Sequence, residues 1–305
     1  MTGSATSFEG MLAEARRKGP APVAVAAANG AESLVAAARA REAGIIADSV
    51  LVGDRELIER VASDQGLDLS GFRVMDCPDD RLAAREAMSL AAAGEAKVAV
   101  KGQMKTSTFL KAALARSAGL RTDRTISHVG VFQIPSFERL LLITDGGVVL
   151  RPSLEQKIEI IENGIEVAQR LGLAVPKVAL LAAVNSVAAR VPVTMGIAQL
   201  VAMRSRWQDA GARVDGPFTL DVAVDARAAS SRGLNGPVAG RADVLVAPDV
   251  ESGNIMAKGI TYFAGGVMAG VVMGAKVPLI VGSRSDPVST RLACIGAGVL
   301  IARDV

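Results

Sequence analysis

The chain has 305 residues, half of them hydrophobic and 21% charged, which supplies apolar material for one or two cores and excludes wholesale disorder. A formal net charge of +3 and 3% aromatics, with one Trp and one Tyr, give neither a basic footprint nor a stacking platform, so no nucleic-acid partner is expected. The two cysteines, Cys77 and Cys294, are far apart and lie outside any CxxC or Cys/His spacing, which argues against a disulfide framework or zinc site and for a reducing, cytoplasmic setting.

In chain order, the first twenty residues lack the basic and apolar regions of a secretory leader and read as a short amphipathic start closed by Gly19-Pro20. Short apolar runs then alternate with Ala-, Leu-, Glu- and Arg-rich segments of helical period. Strands are expected at 23–27, 49–52, 72–75 and 97–100, and helices at 30–43, 54–65, 79–93 and 106–118. Two strands at 129–134 and 140–144 follow almost back to back. The rest reads as a helix at 154–171, a strand at 178–183, a helix at 194–210, strands at 219–222 and 243–247, a long helix at 252–273, a strand at 277–281 and a helix at 288–301. Gly266, Gly270 and Gly274 fall on one face of that long helix and its end, a spacing that suits close packing. The apolar stretch 260–280 is broken by Lys276 and Pro278, so it does not read as a membrane span, which needs about 20 apolar residues.

Strand–helix alternation with continuously apolar strands argues an α/β fold, doubly wound, with mostly parallel sheets. A closed eight-fold barrel fits less well, because the repeat lengths are uneven and the two runs within 129–144 meet directly. A domain crossing is placed there.

The segment VPLIVGSRSDPVST at 277–290 carries the strongest chemical signal. A strand ends at Gly282, a polar turn follows, and Pro287 opens a helix. Helix N-termini beyond strand carboxyl ends bind anions, and Arg284 in this turn adds a guanidinium. VAVKGQMKTSTF at 98–109 repeats the logic, with Lys101, Lys105 and nearby hydroxyls in the turn and Lys111 on the helix beyond. A third turn, Thr144-Asp145-Gly146-Gly147, allows close backbone approach. His128, the single histidine, reads as structural, and multi-histidine metal chemistry is excluded. Walker, dinucleotide and nucleophile-elbow patterns are missing.

Several of these motifs together resemble the phosphate acetyl/butyryltransferase family. They are the run from Gly236 to Asp249, then Glu251-Ser252-Gly253-Asn254 and Lys258; Asp215-Gly216-Pro217 with Asp221; Ser127-His128-Val129; Ile143–Gly147; Thr261-Tyr262; and the Ser-Arg turn within 278–286. The similarity covers most of the chain, and the butyryltransferase branch is nearer in length and in its SRxD-like turn. The resemblance implies reversible transfer of a short acyl group, acetyl to butyryl, between coenzyme A and inorganic phosphate, both bound as substrates. It also implies no resident cofactor or metal, and a homodimer that is not attached to a membrane. Two α/β domains with an interdomain cleft are implied, here 1–134 plus 276–305 and 135–275. Ser283, Arg284 and Asp286 would be catalytic. Lys101, Lys105, Lys111, Ser127, Asp145, Asp249, Glu251, Asn254 and Lys258 would bind the substrates.

One departure stands out. The acetyltransferase branch places an acid about two helical turns after its Ser-Arg pair, and this chain has Thr290-Arg291-Leu292 there. That leaves open a non-catalytic relative that binds acyl-coenzyme A or phosphate. A decarboxylating dehydrogenase and a carrier-protein-dependent phosphate acyltransferase are rivals of similar architecture.

Overall fold

The computed structural model describes residues 6–283 and 286–302. The chain runs through α1 (Phe8–Lys18), β1 (Val23–Ala26), α2 (Ala31–Glu42), β2 (Ser49–Gly53), α3 (Arg55–Gln65), β3 (Phe72–Asp76), α4 (Asp80–Ala92), β4 (Val98–Lys101) and α5 (Thr106–Leu114). It continues through β5 (Ser127–Gln133), β6 (Leu141–Thr144), α6 (Leu154–Arg170), β7 (Lys177–Leu181), α7 (Val193–Ala202), α8 (Arg204–Asp209) and β8 (Arg213–Phe218). The last elements are α9 (Leu220–Val224), α10 (Ala226–Ser231), β9 (Val244–Val246), α11 (Val250–Phe263), β10 (Val267–Met273), β11 (Leu279–Ile280) and α12 (Val288–Ile301).

Side-chain caps fix several helix starts. Asp54 and Asp79 accept backbone N–H bonds at the first turns of α3 and α4, and Ser153 with Gln156 forms a reciprocal capping box on α6. No helix among the described residues is long and apolar enough to cross a membrane.

Two compact units result. The outer unit comprises Ser7–Arg124 and residues 269–302; the inner unit comprises Thr125–Met268. In the outer unit the strands run β3-β2-β1-β4-β11-β10, all parallel except the antiparallel β10–β11 pair. Its strand order reverses between β1 and β4, the position in open α/β sheets where ligands lodge beyond the strand ends. α12, buried along most of its length, packs against α1 and α2. Lys18 donates to the carbonyls of Val299, Leu300 and Ala302, closing the α12 C-terminus with a cation.

In the inner unit the order is β5-β6-β9-β7-β8, parallel except for the β5–β6 hairpin. Its core gathers Phe132, Ile143, Leu181, Phe218, Val222 and Leu245.

Four expectations need correction. The units divide at 124/125 and 268/269, not at 134/135 and 275/276, because the β5–β6 ladder, Val129 opposite Thr144, holds both strands in one unit. The strand expected at 219–222 is helix α9, and the strand precedes it as β8. Pro217 lies within β8, which is tolerated because β8 is an edge strand, where a missing N–H costs no ladder bond. The helix expected over 194–210 is two helices, α7 and α8, with Met203 between them. Most informative is 252–273. The helix stops at Phe263, Gly265 adopts φ +64°, and the N–H groups of Ala264 and Gly266 both donate to Ile260 O. Residues 267–273 are strand β10, so the three spaced glycines do not share a helix face.

Candidate active site

Within the outer unit, β1, β4 and β11 are parallel neighbours, so their following loops leave the same edge. Beyond β11, Ser283 and Asp286 are tied to each other. Ser283 N donates to Asp286 Oδ2 at 2.6 Å, and Asp286 N returns a bond to Ser283 O at 3.2 Å. Arg291, one turn into α12 and only 6% exposed, clamps this turn from below. Its Nη2 donates to Ser283 O at 2.9 Å, its Nε to Asp286 O at 3.2 Å, and its Nη1 to Ser33 Oγ on α2 at 3.0 Å. A guanidinium suits three acceptors because its donors lie fixed in one plane. Pro287, expected as the first helical residue, occupies the N-cap position, and no side chain caps the helix. Ser283 is exposed and Asp286 half-buried. Arg284, the expected catalytic cation, lies outside the described residues.

The β4 loop docks on the end of β1. Gly102 N donates to Ala26 O at 2.8 Å and Gln103 N to Ala27 O at 2.7 Å. A β-carbon on Gly102 would lie 2.1 Å from Ala27 O, which explains the glycine. Ala27 itself has φ +53°, a conformation costing a non-glycine residue about 1–2 kcal/mol. Lys101 does not face solvent. It is 2% exposed, and its Nζ donates to the carbonyls of Gly102 and Met104 at 3.2 Å each, so its ammonium shapes its own loop. Lys105 is exposed at the α5 N-cap, and Lys111 is exposed on α5.

The inner unit assembles a second turn. β6 and β9 are parallel neighbours, with Thr144 opposite Val246, and their carboxyl ends meet at one edge. The Thr144–Asp145 peptide is cis. Asp145 is 4% exposed; its Oδ1 accepts from Gly147 N and Val148 N, and its Oδ2 from Val149 N. Asp249 caps α11, accepting from the Ser252 hydroxyl at 2.6 Å and Ser252 N at 2.8 Å. These bonds, the hydroxyl foremost, hold its carboxyl below the ordinary range, with smaller help from Lys157 and Arg151. Asn254 Nδ2 donates to Gly146 O at 3.0 Å, tying the helix to the turn. Gly253 permits that approach, since a β-carbon there would lie 2.4 Å from Asp145 O.

Asp145, Asp249 and Asn254 are therefore brought together. Glu251 and Lys258 are exposed on α11, at its second and ninth positions. Ser127 stands apart: it is fully buried on β5, and its hydroxyl accepts from Asn163 Nδ2 at 2.8 Å. His128 is half-buried beside the Asp145 turn. Burial lowers its pKa, the Asp145 charge opposes that shift, and Thr144 Oγ1 donates to its carbonyl.

Sequence reasoning missed Ser33 and Arg291. Arg291 had been noted only where an acid was expected, and its partner Ser33 is 258 residues away, so no local pattern announces the pair.

A family profile described as phosphate acetyl/butaryl transferase matches residues 79–296. A phosphate butyryltransferase of Clostridium acetobutylicum is 38% identical over 296 residues, covering 97% of this chain and 98% of its own. A phosphate acetyltransferase of Rhizobium meliloti is 38% identical over 297 residues, covering 97% and 94%. The crystal structure of a branched-chain phosphotransacylase from Enterococcus faecalis V583 superimposes with a TM-score of 0.80 and 30% identity, over 92% of this chain and 99% of its own.

Proposed function

This chain belongs to the phosphate acetyl/butaryl transferase family, and we propose that it moves a short acyl group between coenzyme A and inorganic phosphate. It is a phosphate acyltransferase. The observation that carries this reading is similarity over nearly the full chain to both a butyryl- and an acetyltransferase.

In our reading a phosphate oxygen attacks the thioester carbonyl, the tetrahedral oxyanion collapses, and coenzyme A leaves as thiolate and takes up a proton. The reverse reaction starts from the thiol. Both reactants are anionic, so holding them together and stabilising the oxyanion supply most of the acceleration. Ser283 would donate its hydroxyl to the developing charge. Arg284 would offer its fork of donors to phosphate or oxyanion. Asp286 would exchange the thiol proton, while its Oδ2 holds Ser283 N. Lys105 and Lys111 are the exposed cations assigned to coenzyme A phosphates. Lys101 acts by shaping the β4 loop, and Ser127 by supporting α6 from the interior. Asp145, Asp249 and Asn254 frame the inner turn beside Glu251 and Lys258. Coenzyme A and phosphate are substrates, and the chemistry calls for neither a redox cofactor nor a metal.

The two cysteines, both free, support a reducing cytoplasmic setting. A homodimer is supported by α11, whose Ile255, Tyr262 and Phe263 are 72%, 74% and 93% exposed along one face, with Gly259 open between them.

The test is phosphate-dependent release of free thiol from acetyl-, propionyl- and butyryl-coenzyme A, measured side by side. Release that requires phosphate supports the reading. Binding of thioester without release would assign the chain to the non-catalytic alternative.

A further inference from the structure

A cavity of about 480 Å³ lies in the inner unit against β8, the strand that ends the sheet. It borders Arg213 to Asp215, the amino-terminal half of β8, whereas the Asp145 and Asp249 turns follow the carboxyl ends of β6 and β9. β6, β9, β7 and β8 are parallel, so the cavity lies away from those turns, toward the other end of the sheet.

Local pattern builds its wall. Trp207 and Gln208 on α8 stand three and four residues past Arg204, so one face of that helix presents all three to the cavity. Trp207 Nε1 donates to Leu200 O at 2.7 Å, which pins the indole to α7. Arg213 and Asp215 are two apart on an extended strand, so their side chains leave the same face. Val201, Val214 and Val238 add apolar surface.

The charges in this cavity are unspent. Among the described residues neither Arg204 nor Arg213 forms an ion pair, although Arg206 on the same helix binds Glu162 at 2.6 Å. Asp209, the acid that ends α8, is exposed and pairs with neither. Asp215 likewise has no cationic partner among the described residues, and its Oδ1 accepts the N–H of Gly216 at 2.8 Å. Two guanidinium groups and a carboxylate thus border one space without neutralising one another. A ligand that carries both a carboxylate and an ammonium gives each of them a charge-assisted bond. An alkyl group on the same ligand covers the valines and the indole, which water would otherwise face. The volume is toward the lower end of the range of about 300–1,000 Å³ for small-molecule sites, so the ligand is small.

We propose that this cavity binds a free α-amino acid with an aliphatic side chain, its carboxylate on Arg204 and Arg213, its ammonium on Asp215 and its alkyl group on the valine and tryptophan wall. The site uses no residue assigned to acyl transfer.

The test is calorimetric titration of the full chain with L-leucine, with isocaproate, which lacks the ammonium, and with isoamylamine, which lacks the carboxylate. The variants are Arg204→Ala with Arg213→Ala, and Asp215→Asn. Both arginines are exposed, and the amide oxygen of asparagine keeps an acceptor for Gly216 N, so both variants fold, as circular dichroism would verify. The wild type should bind leucine, and each analogue at least about tenfold more weakly, the scale of one charge-assisted pair. Each variant should also bind leucine at least about tenfold more weakly than the wild type. Leucine affinity that either variant leaves unchanged overturns the proposal, as does a wild type that gives no binding at millimolar leucine. Isocaproate binding as tightly as leucine would make the occupant a plain carboxylate and overturn it too. The titration contains no acyl donor, so failure of the acyltransfer reading would show separately, as missing thiol release from a protein that still binds leucine.

Discussion

The two turns at strand carboxyl ends are built from opposite charges. In the inner unit, Asp145 is buried and its carboxylate accepts three backbone N–H groups, so the loop is organised around an anion that the protein itself supplies. In the outer unit, buried Arg291 donates to two backbone carbonyls of the Ser283 turn. The difference is instructive for chemistry on anions. A turn whose amides are consumed by an internal carboxylate is a rigid frame. A turn held through its carbonyls by an internal guanidinium carries positive charge beneath the place where phosphate or an oxyanion would sit.

The largest test of this contrast is Arg291→Ala. It strips donors from Ser283 O, Asp286 O and Ser33 Oγ together, and should lower stability by about 2–4 kcal/mol, given about 1–3 kcal/mol per buried polar group left unsatisfied. Turnover should fall with it. Arg291→Lys, a single point of charge, should restore stability only in part, and Ser33→Ala should cost least because it removes one bond. Denaturant titration and thiol release on the three variants would check the order.

Gly253→Ala probes the inner frame. Its new β-carbon would lie 2.4 Å from Asp145 O, so backbone must move, at a cost of about 1–3 kcal/mol in a denaturant titration. A neutral result would mean that α11 is not tightly docked on the Asp145 turn.

A smaller effect concerns pH. Burial depresses the pKa of His128 from its ordinary 6.5. The folded chain therefore binds a proton less readily than the unfolded chain. The stability this contributes is full above 6.5 and is lost as pH falls from there through the folded value. Stability should decline over that interval, and His128→Gln should flatten this part of the profile.

The smallest effect is chemical. The Cys294 thiol is buried on α12 and pushed up to about 12, so it should resist thiol reagents at pH 8 in the native protein, with any reaction confined to Cys77. Rapid modification of Cys294 would mean that α12, the helix behind the Ser283 turn, opens readily.

Much of this architecture was legible in the sequence because it is written locally. Apolar runs gave the strands and helical period gave α3, α4 and α6, whose starts the structure shows capped by Asp54, Asp79 and Ser153. The Asp145 turn could be read as a loop at a strand end for the same reason, whereas Asp249 was marked by the family resemblance. What escaped depended on distant partners or on period alone. Lys101 looks like a surface lysine until its loop folds the ammonium onto the Gly102 and Met104 carbonyls. The glycines at 266, 270 and 274 mimic a helical period, whereas Gly265 in the left-handed region ends the helix and frees the following residues to pair as a strand. Arg291 gained its meaning only when α12 packed against α2.

The central claim is that the turn from Ser283 to Asp286 cradles the reacting anions, with Arg284 as its cation. The most direct measurement is phosphate-dependent thiol release from butyryl-coenzyme A by the wild type and by Arg284→Ala, with circular dichroism confirming an unchanged fold. The account predicts a fall in kcat of more than about 100-fold, the scale of losing a preorganised charge donor. Near-wild-type turnover in the variant would contradict it.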